Sequence, residues 1–339
     1  MSVPARVEAS TEMRVTMLST AAVNHAKCPD CGSSTVKVLG RLPSCKVFAG
    51  RVLNSALAGG RLYRCDTCFL KFRQPAPTES TREHLYDNAL TTAWAGEISN
   101  RPDWVLIANL IYEHGRDDAY VLDIGCYTGG LLKSLKNSFR KAGVEPNRAA
   151  ARAATLEAKA QIWHSVNEIP RSEQFDFIVA TDLIEHVDSP SAFIKSVVHL
   201  LQPNGLLIFS TGNGDALLAR VFGPHWWYWF PVEHISFVSP SWIQYFCRSN
   251  AMTCVKLSYF AYRNLSLRIR LFDLLHAIAY GVGGRAYLEA LTLGYKWTGR
   301  KWAIFPKGCG VTADHMIFAL APHETAPSTH CGAPQKSTW

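Results

Sequence analysis

The segment VLDIGCYTGG, residues 121–130, indicates how this chain folds. Val121, Leu122 and Ile124 favour a strand. Gly125, Gly129 and Gly130 permit a tight turn and close approach of the backbone to a ligand, and helical spacing follows, so we predict a helix over 129–139. A strand, a glycine turn and a helix in this order are typical of a nucleotide-binding turn.

Two acidic residues indicate which kind of ligand this turn binds. Asp123 lies inside the segment, and Glu145 lies at the end of the next predicted strand, where an acid commonly binds ribose hydroxyls. Tyr127 stands where a dinucleotide motif requires glycine. The pattern therefore favours a ligand with a ribose diol and a cation over one with a pyrophosphate.

Strands and helices alternate outward from this segment. The predicted strands are 120–125, 143–145, 161–164, 175–181, 205–211, 253–259 and 313–320. The predicted helices are 129–139, 147–160, 190–202 and 239–250, preceded by a helical segment over 78–116. Seven strands with intervening helices predict an α/β fold with a doubly wound, Rossmann-like sheet.

The length of 339 residues, with 48% apolar content, allows one large domain and a smaller module. We predict a disordered leader over 1–24, a cysteine module over 25–75, and the large domain over 76–321. The tail, 322–339, is rich in Pro, Ser, Thr and Ala and is expected to be disordered. No apolar run approaches the roughly 18 residues that span a bilayer, and the N-terminus lacks a signal-peptide pattern, so we expect a cytoplasmic protein.

The net charge of +8 is unevenly spread. Residues 1–80 hold 11 Lys and Arg against 5 Asp and Glu, residues 81–261 hold 15 against 18, and residues 262–310 hold 8 against 2. The excess of acidic residues in 81–261 argues against a nucleic-acid substrate. The basic segments on either side of it keep a nucleic-acid substrate as an alternative.

The basic, amphipathic insertion over 260–312 interrupts the alternation. It could cover the active site, pair subunits, pack on the sheet, or lie on an anionic membrane surface and so make the protein peripheral at the inner face of the membrane.

Four cysteines form two Cys-x-x-Cys pairs, Cys28 with Cys31 and Cys65 with Cys68. Four thiolates close a tetrahedral zinc site without an open position, which is typical of structural zinc. Unliganded or redox-active thiols are the alternative reading. Cys45 has no partner at ligand spacing.

Residues 78–320 resemble a class I S-adenosylmethionine-dependent methyltransferase, with a Rossmann-like methyltransferase sheet. The resemblance is carried by four blocks, residues 121–130, 143–146, 175–187 and 201–210. It implies S-adenosylmethionine as the cofactor. The implied cofactor-binding residues are Asp123, Gly125, Tyr127, Gly129, Glu145, Ser165 and Asp182. Asn167 is an alternative to Ser165, because no acid stands at the usual adenine-facing position.

The cysteine module is similar to that of a group that includes the deoxysugar C-methyltransferases. Leu85-Tyr86 resembles the tyrosine-bearing helix of that group, and Glu233-His234 resembles its Glu-His pair, in which the histidine takes part in proton transfer. The tyrosine usual two residues before the glutamate is Pro231 in this chain.

Three residues are therefore catalytic candidates: His234, Glu233 and His186. His234 is either a general base or a structural residue bonded to a loop backbone. His186, at the carboxyl end of the fourth strand, is either a second base or a cap of the following turn. The aromatic run at 226–230 is either core or a stacking platform.

The resemblance implies methyl transfer to a small-molecule intermediate, such as a nucleotide-linked sugar or a polysaccharide or lipid precursor, on carbon or oxygen. A ribosomal-RNA methyltransferase with a zinc module and an inactive cofactor-binding scaffold are the alternatives. The acceptor and the oligomeric state are not determined by the sequence.

Overall fold

The computed structural model describes residues 26–48, 51–87, 101–262 and 313–323, with scattered residues between 266 and 287. The strands are β1 (Val36–Arg41), β2 (Cys45–Phe48), β3 (Arg51–Leu57), β4 (Arg61–Cys65), β5 (Lys71–Gln74), β6 (Tyr120–Ile124), β7 (Arg140–Val144), β8 (Gln161–Trp163), β9 (Phe175–Thr181), β10 (Leu201–Gly212), β11 (Ser236–Phe237), β12 (Met252–Phe260) and β13 (His315–Pro322). The helices are α1 (Glu79–Asp87), α2 (Pro102–His114), α3 (Gly130–Ser134), α4 (Arg148–Ala158), α5 (Pro190–Val197), α6 (Leu217–Phe222) and α7 (Pro240–Ser249).

Seven strands form one mixed sheet in the order β12-β13-β10-β9-β6-β7-β8. Strands β6 to β10 are parallel, and β13 runs antiparallel between β10 and β12. The chain moves outward from β6 in one direction through β7 and β8, then in the other through β9 and β10. The crevice at the carboxyl ends of β6 and β9 is therefore the switch point where open α/β sheets bind ligands. The predicted doubly wound fold is confirmed.

The central strands are buried on both faces of the sheet. Successive side chains along a strand point to opposite faces, so each strand contributes to two cores. Leu122, Ile178 and Phe209 pack into one core cluster. Val121 and Val179 pack into a second cluster on the other face. Near-continuous apolar runs of this kind are expected where helices cover both sides of a parallel sheet.

Three of the predicted helices were wrong in extent. The helix predicted over 190–202 ends at Val197, and residues 198–200 form a 3-10 turn that leads into β10. The helix predicted over 129–139 ends at Ser134, because Leu135 becomes extended and is buried, at 3% exposure, in the core. The helical segment predicted over 78–116 contains two separate helices, α1 and α2, and Pro102 occupies the first turn of α2.

The strand boundaries differ from prediction by a few residues. The second strand begins at Arg140 rather than at 143, and β10 begins at Leu201 rather than at 205. Strand β13 extends to Pro322, and the His323 amide donates to the Ala251 carbonyl at 2.9 Å. These two residues are therefore structured, against the prediction of a disordered tail from 322.

The cysteine region forms a four-stranded antiparallel sheet, β1-β4-β5-β11, beside the two-stranded hairpin β2-β3. Strand β11 comes from the large domain, with Ser236 opposite Phe72 and Phe237 opposite Lys71. The two predicted domains therefore share a sheet, which no sequence pattern indicated. The boundary at residue 75 stays a prediction.

The insertion over 260–312 is described only in part. Tyr280 is buried and its ring lies 5.7 Å from that of Phe222 on α6. Among the described residues, no helix has both the length and the apolar character needed to span a membrane. The leader and residues 324–339 lie outside the described residues, so both predictions on them stay untested.

Candidate active site

The glycine turn joins β6 to α3 at the switch point. Gly125 has φ 78°, in the left-handed region that favours glycine, and its amide donates to the Val144 carbonyl at 2.8 Å. Gly129, with φ 77°, precedes α3 as its N-cap. Tyr127 also lies in the left-handed region, at φ 47°, although it carries a side chain. The turn thus keeps the glycine-type backbone with tyrosine at its centre.

Glu145 supports this turn from the end of β7. One carboxylate oxygen accepts the Tyr127 amide at 2.9 Å, and the other accepts the Asn147 amide at 2.8 Å. Burial raises the pKa of Glu145 above its ordinary value. Each oxygen keeps a second lone pair, so the carboxylate is able to accept both hydroxyls of a ribose diol.

Asp123 is buried at 2% exposure, and its Oδ1 has no hydrogen-bond partner among the described residues. Burial raises the pKa of Asp123 to about 8, and the positive charge of Arg101 opposes this rise. A buried carboxylate oxygen without a partner is costly unless a ligand supplies one. The cationic ammonium end of S-adenosylmethionine is a suitable partner, so this residue and Glu145 together fit that cofactor.

Asp182 follows β9 and is held by protein groups. The Arg101 guanidinium bonds Asp182 at 2.5 Å and also Asp103 at 2.5 Å, while the Tyr262 hydroxyl donates to Asp182 at 3.0 Å. Burial opposes ionisation, but Arg101 holds the pKa of Asp182 below its ordinary value. Sequence reasoning missed Arg101, Asp103 and Tyr262, because they come from distant parts of the chain and match no motif.

Ser165 lies after β8, at the start of a 3-10 turn, and its carbonyl accepts the Glu168 amide at 3.2 Å. Asn167 lies in the same turn and is exposed. Because β8 pairs with β7, both residues share the sheet edge that carries Glu145. Their contact with adenine stays a prediction.

The structure brings together three catalytic-type side chains from two loops. Glu185 and His186 lie in a 3-10 turn after β9, and His234 lies in the loop before β11. The two imidazole rings are nearly perpendicular, with centroids 5.0 Å apart. A carboxylate oxygen of Glu185 and one nitrogen of each ring all lie within 4.8 Å of one another. Glu185 was not predicted as a site residue.

Each histidine is oriented through its Nδ1 atom. His234 Nδ1 lies 3.0 Å from the Tyr228 carbonyl, and His186 Nδ1 lies 2.7 Å from the Tyr86 hydroxyl. A carbonyl only accepts, so neutral His234 carries its proton on Nδ1 and a lone pair on Nε2. This tautomer leaves Nε2 as a proton acceptor.

Glu185, the acidic residue of this group, is also held in place by hydrogen bonds. Glu185 accepts the Tyr228 hydroxyl at 2.7 Å and the Thr211 hydroxyl at 2.9 Å. Burial raises the pKa of Glu185. Burial lowers the pKa of His186 and of His234 to about 4, so both imidazoles are neutral near pH 7.

Glu233 and the aromatic run precede His234 along the chain, and the catalytic role of Glu233 stays a prediction. Glu233 Oε2 is buried with no hydrogen-bond partner among the described residues, and burial raises the pKa of this carboxyl. Trp226, Tyr228 and Trp229 are buried in a core cluster that also includes residues of the cysteine region. Most of the aromatic run is therefore core rather than an open stacking platform.

The four predicted cysteine ligands come together at the base of the cysteine region. Their sulfur atoms all lie within 4.8 Å of one another, and the Cys28–Cys68 and Cys31–Cys65 distances are both 3.5 Å. These distances exclude disulfides, and they are close to the ~3.8 Å between sulfurs around a tetrahedral zinc ion with Zn–S bonds of about 2.3 Å. The four thiols therefore fit structural zinc.

The two cysteine knuckles have the same backbone form. Gly32 and Phe69, which follow the second cysteine of each pair, have φ of 73° and 66°. The Thr67 and Cys68 amides point at the Cys65 sulfur at 3.4 Å and 3.5 Å. Cys45 lies on β2, outside this group.

Residues 101–250 match the family model described as a methyltransferase domain. Similar curated proteins include the ubiquinone biosynthesis O-methyltransferase of Bradyrhizobium diazoefficiens, 37% identical over 27% of this chain and 40% of that protein. The enzyme of the same name from Idiomarina loihiensis is 32% identical over 36% of this chain and 56% of that protein. The malonyl-[acyl-carrier protein] O-methyltransferase of Halalkalibacterium halodurans is 30% identical over 28% of this chain and 40% of that protein. The chain spans about half the length of the curated relatives it matches.

Solved structures with a similar fold include coclaurine N-methyltransferase bound to N-methylheliamine and SAH, at 16% identity over 66% of this chain and 74% of that chain, with a TM-score of 0.43. The N-methyltransferase NodS of Bradyrhizobium japonicum WM9 in complex with SAH is 17% identical over 56% of this chain and 93% of that chain, with a TM-score of 0.41.

The strand order and the glycine turn with its two acids define a class I methyltransferase fold. Residues 101–250, a little under half of the chain, match the methyltransferase domain model. The resemblance of the large domain to class I methyltransferases is thereby confirmed, and a four-cysteine cluster precedes it.

Proposed function

We propose that this protein transfers the methyl group of S-adenosylmethionine to a hydroxyl oxygen of a small biosynthetic intermediate. The observation that carries the proposal is His234, whose Nδ1 is anchored to a carbonyl while its Nε2 is left to accept a proton beside Glu185 and His186. The O-methyltransferase names of the similar curated proteins support oxygen as the acceptor atom.

When bound, S-adenosylmethionine supplies an electrophilic methyl group on a sulfonium. In the proposed mechanism, Asp123 faces the cationic methionyl end, Glu145 accepts the ribose hydroxyls, and the amides of the glycine turn approach the methionyl carboxylate. These groups position the cofactor, and positioning supplies much of the rate enhancement of a displacement reaction.

The acceptor side removes the hydroxyl proton. His234 Nε2 takes this proton as the oxygen becomes nucleophilic, and the adjacent Glu185 carboxylate stabilises the resulting imidazolium. General-base catalysis of this kind contributes roughly 10²- to 10⁴-fold to the rate. The four thiolates would hold zinc in a structural role in this proposal, because four protein ligands leave no open position on the ion for a substrate.

A nucleotide-linked sugar or a polysaccharide or lipid precursor is the proposed acceptor class. The excess of acidic over basic residues in 81–261 disfavours an RNA backbone. Membrane contact through 260–312 is a further proposal, supported by the exposed apolar side chains of Leu271, Leu275, Ile278 and Val282 in a basic segment.

The test is methyl transfer from radiolabelled S-adenosylmethionine to panels of catechols, nucleotide-linked sugars and short ribosomal-RNA fragments. We expect label in a small-molecule hydroxyl and a loss of at least ~10²-fold in turnover for His234→Gln, because the general base is removed. His199→Gln, at an exposed histidine, is the matched control.

Calorimetry with S-adenosylhomocysteine completes the test, and His234→Gln should bind it as the unaltered protein does. Transfer to RNA alone would contradict the proposal. Cofactor binding without transfer to any member of the panels would favour the inactive cofactor-binding scaffold.

Carbon methylation of a deoxysugar is the second candidate. Tyr86 from the tyrosine-bearing helix contacts His186, beside His234, so the residues that resemble the C-methyltransferase group converge in this structure. The position of the labelled methyl group in the NMR spectrum of the product separates a carbon-bound from an oxygen-bound methyl.

A further inference from the structure

Arg73, on β5 of the cysteine region, is buried at 3% exposure and faces the loop that carries His234. Within the described part of the chain, its guanidinium donates to backbone carbonyls alone. They are those of Gly59 at 2.5 Å, Trp229, Phe230 at 3.4 Å, Pro231 at 3.1 Å and His234 at 3.1 Å. Four of these five carbonyls belong to residues 229–234.

The backbone around Arg73 binds the same segment. The Arg73 amide donates to the Ile235 carbonyl at 2.9 Å, and β5 then pairs with β11. On the same strand, Lys71 Nζ bonds Asp215 at 2.5 Å and the Gly214 carbonyl at 2.7 Å. The segment from 229 to 237 is therefore held along β5 by both side-chain and main-chain bonds.

The chemistry of this contact requires arginine. Guanidinium offers five N–H donors in a rigid planar fork, whereas an ammonium group offers three around a point. Burial lowers the pKa of Arg73 to about 10, so the group stays charged near neutral pH. Without these donors, several carbonyls of the loop would lose a hydrogen-bond partner, which destabilises this conformation of the loop.

Arg73 bonds the backbone at two points close to the hydrogen bond that orients His234. Arg73 Nε bonds the carbonyl of His234 itself, and its Nη2 bonds the carbonyl of Trp229. The residue before Trp229 is Tyr228, whose carbonyl orients the His234 ring at Nδ1. Arg73 therefore holds the backbone of His234 directly, and at Trp229 it holds the backbone next to the carbonyl that orients the His234 ring.

We propose that Arg73 is a positioning residue for His234, through which the cysteine region sets the geometry of the acceptor side. The proposal rests on the proposed function for the catalytic meaning of His234. The positioning itself can be measured without an acceptor.

The experiment follows the histidine resonances of full-length protein carrying ¹³C-labelled imidazoles, with His234 assigned by its absence from the His234→Gln spectrum. In Arg73→Lys, we expect the His234 resonance to move and its pKa to rise by about one unit or more, because a loosened loop admits water. The His199 resonance and the affinity for S-adenosylhomocysteine should stay as they are. Arg61→Lys, at an exposed arginine on β4, should leave the His234 resonance in place.

Arg73→Gln is the second variant, in case Arg73→Lys fails to fold, because a neutral amide still donates to two carbonyls. A folded Arg73 variant whose His234 resonance and pKa match those of the unaltered protein would overturn the proposal. If His234→Gln retains full turnover, the proposed function fails, whereas a displaced His234 resonance in Arg73→Lys still supports positioning. The two failures are therefore distinguishable.

Discussion

The two halves of the candidate active site are built differently. The cofactor side consists of one strand, one glycine turn and one acid on the next strand, with Glu145 bonded directly to the turn amide of Tyr127. The acceptor side collects Glu185, His186 and His234 from two loops and fixes them through side chains of other elements, among them Tyr86. One half is local in sequence, and the other is assembled by tertiary contacts.

This difference indicates which half is sensitive to distant change. The cofactor turn depends on its own backbone and on neighbouring strands of a buried sheet. The acceptor side also depends on the cysteine region, where Asp30 accepts bonds from Ser189, Ser191 and Trp242 at 2.8 Å each. A change in the cysteine region should therefore affect the acceptor side first.

The largest effect is expected from loss of a proposed metal ligand. Cys65→Ser should lower the bound zinc from one ion per chain to none and reduce the melting temperature, because structural zinc contributes directly to folding. Affinity for S-adenosylhomocysteine should change much less than acceptor turnover. Metal analysis, thermal unfolding and calorimetry measure these quantities, and Cys45→Ser is the control. Equal losses of S-adenosylhomocysteine affinity and of acceptor turnover would contradict the distinction between the cofactor side and the acceptor side.

A large effect confined to the cofactor side is expected for Glu145→Ala. Loss of charged hydrogen bonds to the ribose hydroxyls should weaken S-adenosylhomocysteine binding by roughly 10- to 100-fold. Calorimetry checks this, with Glu157→Ala at an exposed acid of α4 as the control. Unchanged affinity would remove Glu145 from the cofactor site.

A smaller effect concerns the pH dependence of folding stability. Burial lowers the pKa of His234 from an ordinary 6.5 to about 4, so the unfolded chain binds more protons between these values. The charged and titratable groups that face it are His186, Glu185, Asp182 and Tyr228. Stability should therefore fall as the pH drops from about 6.5 to about 4.

His234→Gln should lose less stability than the unaltered protein over this pH range, because one buried histidine no longer has to gain a proton. Thermal unfolding at a series of pH values measures the difference, with His199→Gln as the comparison. Parallel curves for all three proteins would show that His234 does not contribute.

The smallest effect is expected for Tyr127→Gly. Glycine removes the cost of a left-handed backbone, about 1–2 kcal/mol, but adds entropy to the unfolded chain, about 0.5–1 kcal/mol. The free energy of unfolding should therefore change by about 1 kcal/mol or less, as measured by denaturant titration. A change of several kcal/mol would show that the tyrosine side chain has a larger structural role.

The sequence was sufficient for the sheet and the cofactor turn because both are written in contiguous patterns. The strand at 175–181 was predicted with the observed bounds, and the turn at 125–129 has the left-handed conformations that its glycines favour. The end of α3 was not predictable in this way, because the burial of Leu135 prevails over helical spacing.

By itself, the sequence determined the class of fold, the cofactor motif and the four cysteines, because each depends on residues at short, fixed spacings. Only the tertiary structure placed Glu185 and His186 beside His234, and only it joined β11 to β5 and Arg73 to the carbonyls of the His234 loop. These contacts link residues more than 40 positions apart through buried hydrogen bonds, many to backbone carbonyls, which carry no sequence signal.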